Sequence, residues 1–213
     1  MPTTLGKRRG SVAPGSRGRT SLRPRFADAA QLAPLQASGM LRVHSFAPIE
    51  DPRVTVLILG SMPGKASLRA GQYYAHPRNL FWRILGELIG ANPALPYEKR
   101  IRMLKSAGIA LWDVLESCTR QSSLDSDIDE TALIPNNFVA FFSAHPNITH
   151  VFFNGVKAEH CFRNHVQPFI ETRSLQYTRL PSSSPANASM GYKQKLEAWR
   201  AVIERGLTPA KNV

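Results

Sequence analysis

The sequence predicts an α/β fold, a three-layer α/β/α sandwich built on a four-stranded, mostly parallel sheet. Three observations predict it. Short apolar runs rich in β-branched residues alternate with amphipathic stretches, the links between them are brief, and the first run, VTVLIL at 54–59, is apolar at every position but one, Thr55. A strand that is apolar on both faces has to be covered on both, as parallel sheets flanked by helices are.

Taken in order, VTVLIL ends at Gly60 and leads into a long loop, 60–79. NLFWRILGELIG then places Leu80, Phe81, Ile84, Leu85, Leu88 and Ile89 on one helical stripe that Gly90 stops. A helix over 97–107, closed by Gly108, precedes a strand at 109–115 (IALWDVL), and a polar loop runs on to about 135. NNFVAFFSAH reads as a short helix, ITHVFFN (148–154) as a strand, VKAEHCFRNHV (156–166) as a helix and LQYTRL (175–180) as the fourth strand. YKQKLEAWRAVIERG (192–206) is the last helix, with Tyr192, Leu196, Trp199, Val202 and Ile203 facing inward. The division expected is a disordered basic extension at 1–40, one domain at 41–207 and a short tail at 208–213.

With 213 residues, 43% of them hydrophobic, there is material for one substantial core. The formal charge of +12 directs attention to a polyanionic partner, with nucleic acid ahead of an anionic membrane surface. Residues 1–36 are rich in basic side chains and carry one acid, a composition shared by disordered phosphate-attracting arms, organellar leaders and extensions from a misassigned start codon. Cys118 and Cys161 form no C-x-x-C pair, so no zinc or iron–sulfur framework is spelled out, and two reduced thiols near the core are expected. No apolar run reaches the length of a membrane span. A soluble, intracellular, cytoplasmic monomer without a cofactor or metal is the expectation.

Ligands of such folds gather beyond the carboxyl ends of the strands, and two loops there have unusual chemistry. The first, SMPGKASLRAGQYYAHPRN, is small, aromatic and amide-rich. It contains no G-x-x-x-x-G-K-[ST], which excludes a P-loop. Of Tyr73 and Tyr74, one is suited to stacking on a base and one to core packing; His76 is suited to acid–base work or a structural bond; Asn79 is suited to a ligand or to capping the next helix. Ser61 and Ser67 fit phosphate or loop bracing. The second loop, PSSSPANAS (181–189), sets Ser182, Ser183, Ser184 and Asn187 before a helix that bears Lys193 and Lys195, which suits either a phosphate or an ordinary capped turn. Asp113 and Asn154, near strand ends, are candidates for reading a base edge or satisfied structural groups. DSDIDE (125–130) has Glu130 where a calcium loop needs glycine and Asn136 where it needs glutamate, so it reads as a solvated acidic turn.

LILGSMPG, GQYYAHPRNLFW, LWDVLESC, VFFNGVKAE and LPSSSPAN stand in the order and spacing of the uracil-DNA glycosylase superfamily, and most resemble its hypoxanthine (deoxyinosine) branch. The resemblance covers about residues 42–205. It implies a monofunctional, metal-free DNA glycosylase acting on DNA with a deaminated base: hypoxanthine first, with uracil or xanthine as further substrates. It implies that Gly60, Ser61, Met62, Pro63 and Gly64 lie beside an extruded nucleotide, that Tyr74 stacks on its base, and that Asn79, helped by His76, positions water. It further implies that LPSSSPAN grips the DNA backbone. Met62 departs from the pattern, since uracil-removing relatives carry Asp or Asn there and a thioether orients no water. A silent nucleic-acid-binding module with the same fold is the alternative; a hydrolase of phosphorylated metabolites is weakened by the lack of a G-x-S-x-G turn.

Overall fold

The structure, a computed structural model, describes residues 41–170 and 174–206. The extension expected at 1–40 and the tail at 208–213 lie outside the described residues. Strands β1 (Leu41–His44), β2 (Val56–Gly60), β3 (Ile109–Asp113), β4 (Leu115–Arg120), β5 (Ile134–Pro135), β6 (His150–Asn154) and β7 (Gln176–Leu180) are interspersed, among the described residues, with seven α-helices. The helices are α1 (Lys65–Ala70), α2 (Phe81–Ile89), α3 (Tyr97–Ser106), α4 (Phe138–Ala144), α5 (Val156–His165), α6 (Tyr192–Trp199) and α7 (Ala201–Gly206).

The four-stranded sheet has the order β3-β2-β6-β7, and every pair in it is parallel. Because strand side chains alternate, successive residues feed opposite cores. Leu57, Leu59, Ala110, Trp112, Val151 and Phe153 join Phe138, Phe142 and Phe162 of α4 and α5 on one face. Val56, Ile58, Ile109, Leu111 and Phe152 join Phe81, Ile84, Leu85, Leu104 and Trp199 on the other. β2 is buried along its whole length, as its apolar run requires. Trp199 and Val202 are fully buried, while Tyr192, Leu196 and Ile203 pack half-buried beside them.

Four expectations need correction. The strand read as 109–115 ends at Asp113, and the chain turns at Val114, whose N–H donates to the Gly60 carbonyl at 2.8 Å. The segment beyond that turn is more than polar loop: β4 pairs antiparallel with β1 and β5 in a second, three-stranded sheet. It escaped notice because Ser117, Thr119 and Arg120 are buried, so the apolar alternation that marks a strand is missing. Within 60–79 the six residues of α1 are helical, closed by Gly71 in the left-handed region. The last helix is interrupted at Arg200, which separates α6 from α7.

The parallel topology places the carboxyl ends of β2, β3, β6 and β7 along one edge, and the turns that leave them meet there. Gly155, between β6 and α5, has φ +103°, and a Cβ added there would stand 2.9 Å from Ser182 Cβ in the loop after β7. Gly155→Ala is expected to destabilise the protein by about 1–3 kcal/mol through backbone strain and crowding, measured as a lower urea midpoint at unchanged m-value.

Candidate active site

A cavity of about 1040 Å³ opens over that edge. Gly60, Ser61, Met62, Pro63, Gly64 and Ser67 line it from the first loop, with Tyr74, His76 and Asn79 beyond; Asp113 and Asn154 lie at strand ends, and Ser182, Ser184 and Asn187 belong to the last loop. The structure thus assembles nearly all the residues singled out in the sequence, from segments more than 100 positions apart. Ser183 and Lys193 are outside it. Ser183 is fully buried, and Lys193 is exposed on α6.

Ser183 is buried because Asn154 holds it. The Asn154 carboxamide accepts from Ser183 N–H at 2.8 Å and donates to Ser183 Oγ at 2.9 Å, pinning the last loop to β6. Of the two alternatives for Asn154, its geometry is that of a satisfied structural amide. Lys195, also buried, donates to the carbonyls of Ser182 (2.8 Å) and Asn187 (2.6 Å), and burial pulls its ammonium below the usual lysine range. This lysine faces the loop's backbone and braces it. Ser182 Oγ accepts from Ser184 N–H and Ser184 Oγ from Ala186 N–H, each at 3.2 Å, so both hydroxyls keep a proton to donate to a ligand oxygen.

The first loop divides its aromatic pair. Tyr73 is core: its hydroxyl reaches the carbonyls of Phe46 and Ala47 at 3.3 and 3.2 Å. Tyr74 sits at φ 54°, rare and strained for an aromatic residue. Its ring stacks on Phe81 with centroids 4.0 Å apart, and it remains partly exposed at the cavity. The Tyr74 hydroxyl is buried beside Asn154, and among the described residues no group makes a well-formed hydrogen bond to it. Ser67 Oγ accepts from Ala75 N–H at 3.2 Å, bracing the loop, and His76 Nδ1 accepts from Arg78 N–H at 3.1 Å. Asn79 Oδ1 accepts from Phe81 N–H at 2.9 Å; Asn79 stands one residue before the N-cap, Leu80, so it is not the N-cap expected, but it takes up the first amide of α2 with one lone pair while still lining the cavity.

At the cavity floor Asp113 is only 3% exposed, and its Oδ2 has no hydrogen-bond partner. A Cβ at residue 60 would collide with Asp113 Oδ1 and stand 2.8 Å from Tyr74 Oη, so the absent side chain of Gly60 is what admits both groups. Burial, then the neighbouring charge of Asp125, push the Asp113 carboxyl up to about 8 against the opposing pull of Arg120. Arg120 is itself buried under the loop and donates to the Pro63 carbonyl.

Sequence reasoning missed Asp125. It is exposed, as a solvated acidic turn predicts, yet it lines the cavity and accepts from Ser61 Oγ at 2.6 Å. Nothing local marks it, because the contact spans 64 positions. Glu130, also at the rim, is ion-paired with Lys157. Among the described residues no group of three or more His, Cys, Asp or Glu could hold a metal ion, and no helix is long and apolar enough to cross a membrane. Cys118 and Cys161 are free and buried.

A parallel sheet with a cavity over its carboxyl edge, lined by loops from β2, β3, β6 and β7, is the arrangement in which α/β domains bind ligands. The profile of the uracil DNA glycosylase superfamily matches residues 47–205, and the chain belongs to that superfamily. It is 34% identical over 166 residues to a hypoxanthine DNA glycosylase of Methanosarcina barkeri (strain Fusaro / DSM 804), covering 78% of this chain and 100% of the relative. A hypoxanthine DNA glycosylase of Methanosarcina acetivorans is 36% identical over 161 residues, or 75% of this chain and 97% of that one. The solution NMR structure of a candidate uracil DNA glycosylase from M. acetivorans superposes with a TM-score of 0.65 at 34% identity, covering 78% and 98% of the two chains.

Asp113 also makes stability depend on pH. Its folded-state value lies above the unfolded one, so its contribution is complete below about pH 4 and is lost as the pH rises through about 8. Asp113→Asn is therefore expected to gain stability relative to the parent protein as the pH rises from about 4 to about 8, as read from paired urea titrations. A difference that does not change with pH would contradict this.

Proposed function

We propose that this protein is a DNA glycosylase that hydrolyses the N-glycosidic bond of hypoxanthine in DNA, leaving an abasic site for base excision repair. One observation carries the reading: relatives matched over 97–100% of their length, at 34–36% identity, are named hypoxanthine DNA glycosylases, and the superfamily match over residues 47–205 contains every residue that lines the cavity. In this reading the deaminated nucleotide turns out of the helix into the cavity, and stacking on the open face of Tyr74 offsets part of the few kcal/mol that extrusion costs. The hydroxyls of Ser182 and Ser184 meet backbone phosphate; Ser183 and Asn154 act behind them as braces.

The chemistry suits so sparse a site. Cleavage of a deoxynucleoside passes through an oxocarbenium-like state, so the site has to stabilise the cation and the departing base rather than supply a strong nucleophile. Met62 has neither a strong acceptor to orient water nor a proton to give. Asn79 keeps one carbonyl lone pair and its amide N–H groups, which fits it to position water at the anomeric carbon, with His76 alongside. Its bond to the first amide of α2 fixes the carboxamide at the cavity mouth, so one residue serves the helix and the site.

The test is single-turnover reaction with an oligonucleotide containing deoxyinosine, followed by alkali. Strand breaks are expected with wild type, and a parallel panel of uracil and xanthine oligonucleotides sets the range of bases. Absence of breaks with every lesion, while DNA is still retarded in gels, selects the silent binding module. Asn79→Ala should lose at least about 100-fold in rate and about 1 kcal/mol of stability from the lost bond to the first amide of α2. Tyr74→Ala should weaken lesion binding by about 1–3 kcal/mol.

A further inference from the structure

Three carboxyl groups line the cavity, and they are not equivalent. Glu130 is neutralised by Lys157. Asp113 lies at the floor, more than nine-tenths buried, with an oxygen that no group among the described residues satisfies and Tyr74 Oη nearby. Asp125 stands exposed, tied by Ser61 next to Met62, the position where the first loop has no polar side chain to offer. A nucleotide turned out of DNA enters base first, so its base reaches the floor while its sugar stays near the mouth. That order sets the base against Asp113 and the anomeric carbon on the side of Asp125.

We infer that Asp113 and Asp125 form an acid–base pair for this reaction: Asp113 donates its proton to the departing base, and the Asp125 carboxylate receives one from the attacking water. This rests on the glycosylase reading above. The bond from water oxygen to C1′ forms as the C1′–N bond breaks, and the bonding pair leaves with the base nitrogen. The Asp113 proton quenches that charge at a ring nitrogen or the carbonyl oxygen of the purine, the water proton passes to Asp125, and exchange with solvent restores both. Asn79 then holds the water and Asp125 takes its proton, while the negative charge of Asp125 also stabilises the cationic sugar. One carboxyl buried at the floor and one exposed at the mouth are the unlike surroundings that assign such roles.

The groups facing Asp113 set the pH at which the pair works. They are Arg120 from β4, Asp125 from the 3-10 turn Asp125–Asp127, the phenols of Tyr73 and Tyr74, and that of Tyr97 on α3. Burial and the Asp125 charge keep Asp113 protonated up to about pH 8. The inferred role is therefore available at neutral pH.

The experiment is the pH profile of single-turnover base release from the deoxyinosine oligonucleotide by wild type, Asp113→Asn and Asp125→Asn, with thermal melts as controls. Wild type should decline above about pH 8. Asp113→Asn should lose about 100-fold and the alkaline decline with it. An N7-methylated hypoxanthine, whose imidazole ring carries a fixed positive charge in place of an added proton, should recover most of that loss for Asp113→Asn and none for Asp125→Asn when read at mildly acidic pH, where its N1 keeps its hydrogen. Asp125→Asn should also lose about 100-fold, with its alkaline decline moved to lower pH because a negative neighbour of Asp113 is gone. Should Asp113→Asn fail to fold, the exposed Asp125 variant alone decides. An unchanged alkaline decline in Asp113→Asn, or a rate within about threefold of wild type and an unmoved profile in Asp125→Asn, overturns the pair while leaving the glycosylase reading intact. No base release by wild type overturns both.

Discussion

The cavity floor depends on a side chain that is not there. Gly60 ends β2 where the side chains of Asp113 and Tyr74 converge, and a single Cβ would collide with the carboxyl and crowd the phenol. Because residue 60 is bare, β3 can deliver an acid to the centre of the edge and α1 can be followed by a strained tyrosine that reaches the same point. Burial then acts on both: the acid is held neutral well above its ordinary range, and the hydroxyl finds no well-formed hydrogen bond among the described residues. A protein interior rarely tolerates two such groups together without use for them.

Around this floor the protein spends its polar groups on rigidity. Asn154 with Ser183, and Lys195 with two carbonyls, fix the loop after β7; Ser67 and Asn79 fix the loop after β2. Residues that look like ligands in the sequence therefore act largely by holding other residues in place. They leave a short set pointing at the cavity: the face of Tyr74, the rest of the Asn79 amide, His76, two serine hydroxyls and the carboxyl groups. Preorganisation of this kind favours chemistry in which the site stabilises developing charge rather than attacking the substrate.

The buried Arg120 shows how the second sheet serves the first. β4 leaves the main sheet just after Asp113, and its last residue carries a guanidinium under the Pro63 turn, close enough to act on both Asp113 and Asp125. It lowers the pKa of Asp113 while burial and Asp125 raise it. The antiparallel sheet, invisible as a strand pattern because several of its buried residues are polar, is thus part of the electrostatics of the site.

The sequence by itself determined the parallel sheet, the two helix layers and the two loops that meet at its edge. Those are set by apolar period and by glycine and proline stops, which are local. The fold class was legible for that reason, and most of the residues singled out in those loops and strand ends do line the cavity. Whether Ser183 faces outward or is buried, whether Lys195 braces or binds, and that Asp125 comes to Ser61 were decided only by tertiary structure. Each depends on a partner 8 to 64 positions away, and hydrogen bonding across such separations leaves no period in the chain. The protonation state of Asp113 was hidden for the same reason: it is set by desolvation and by charges on other elements, and both exist only once the chain has closed around it.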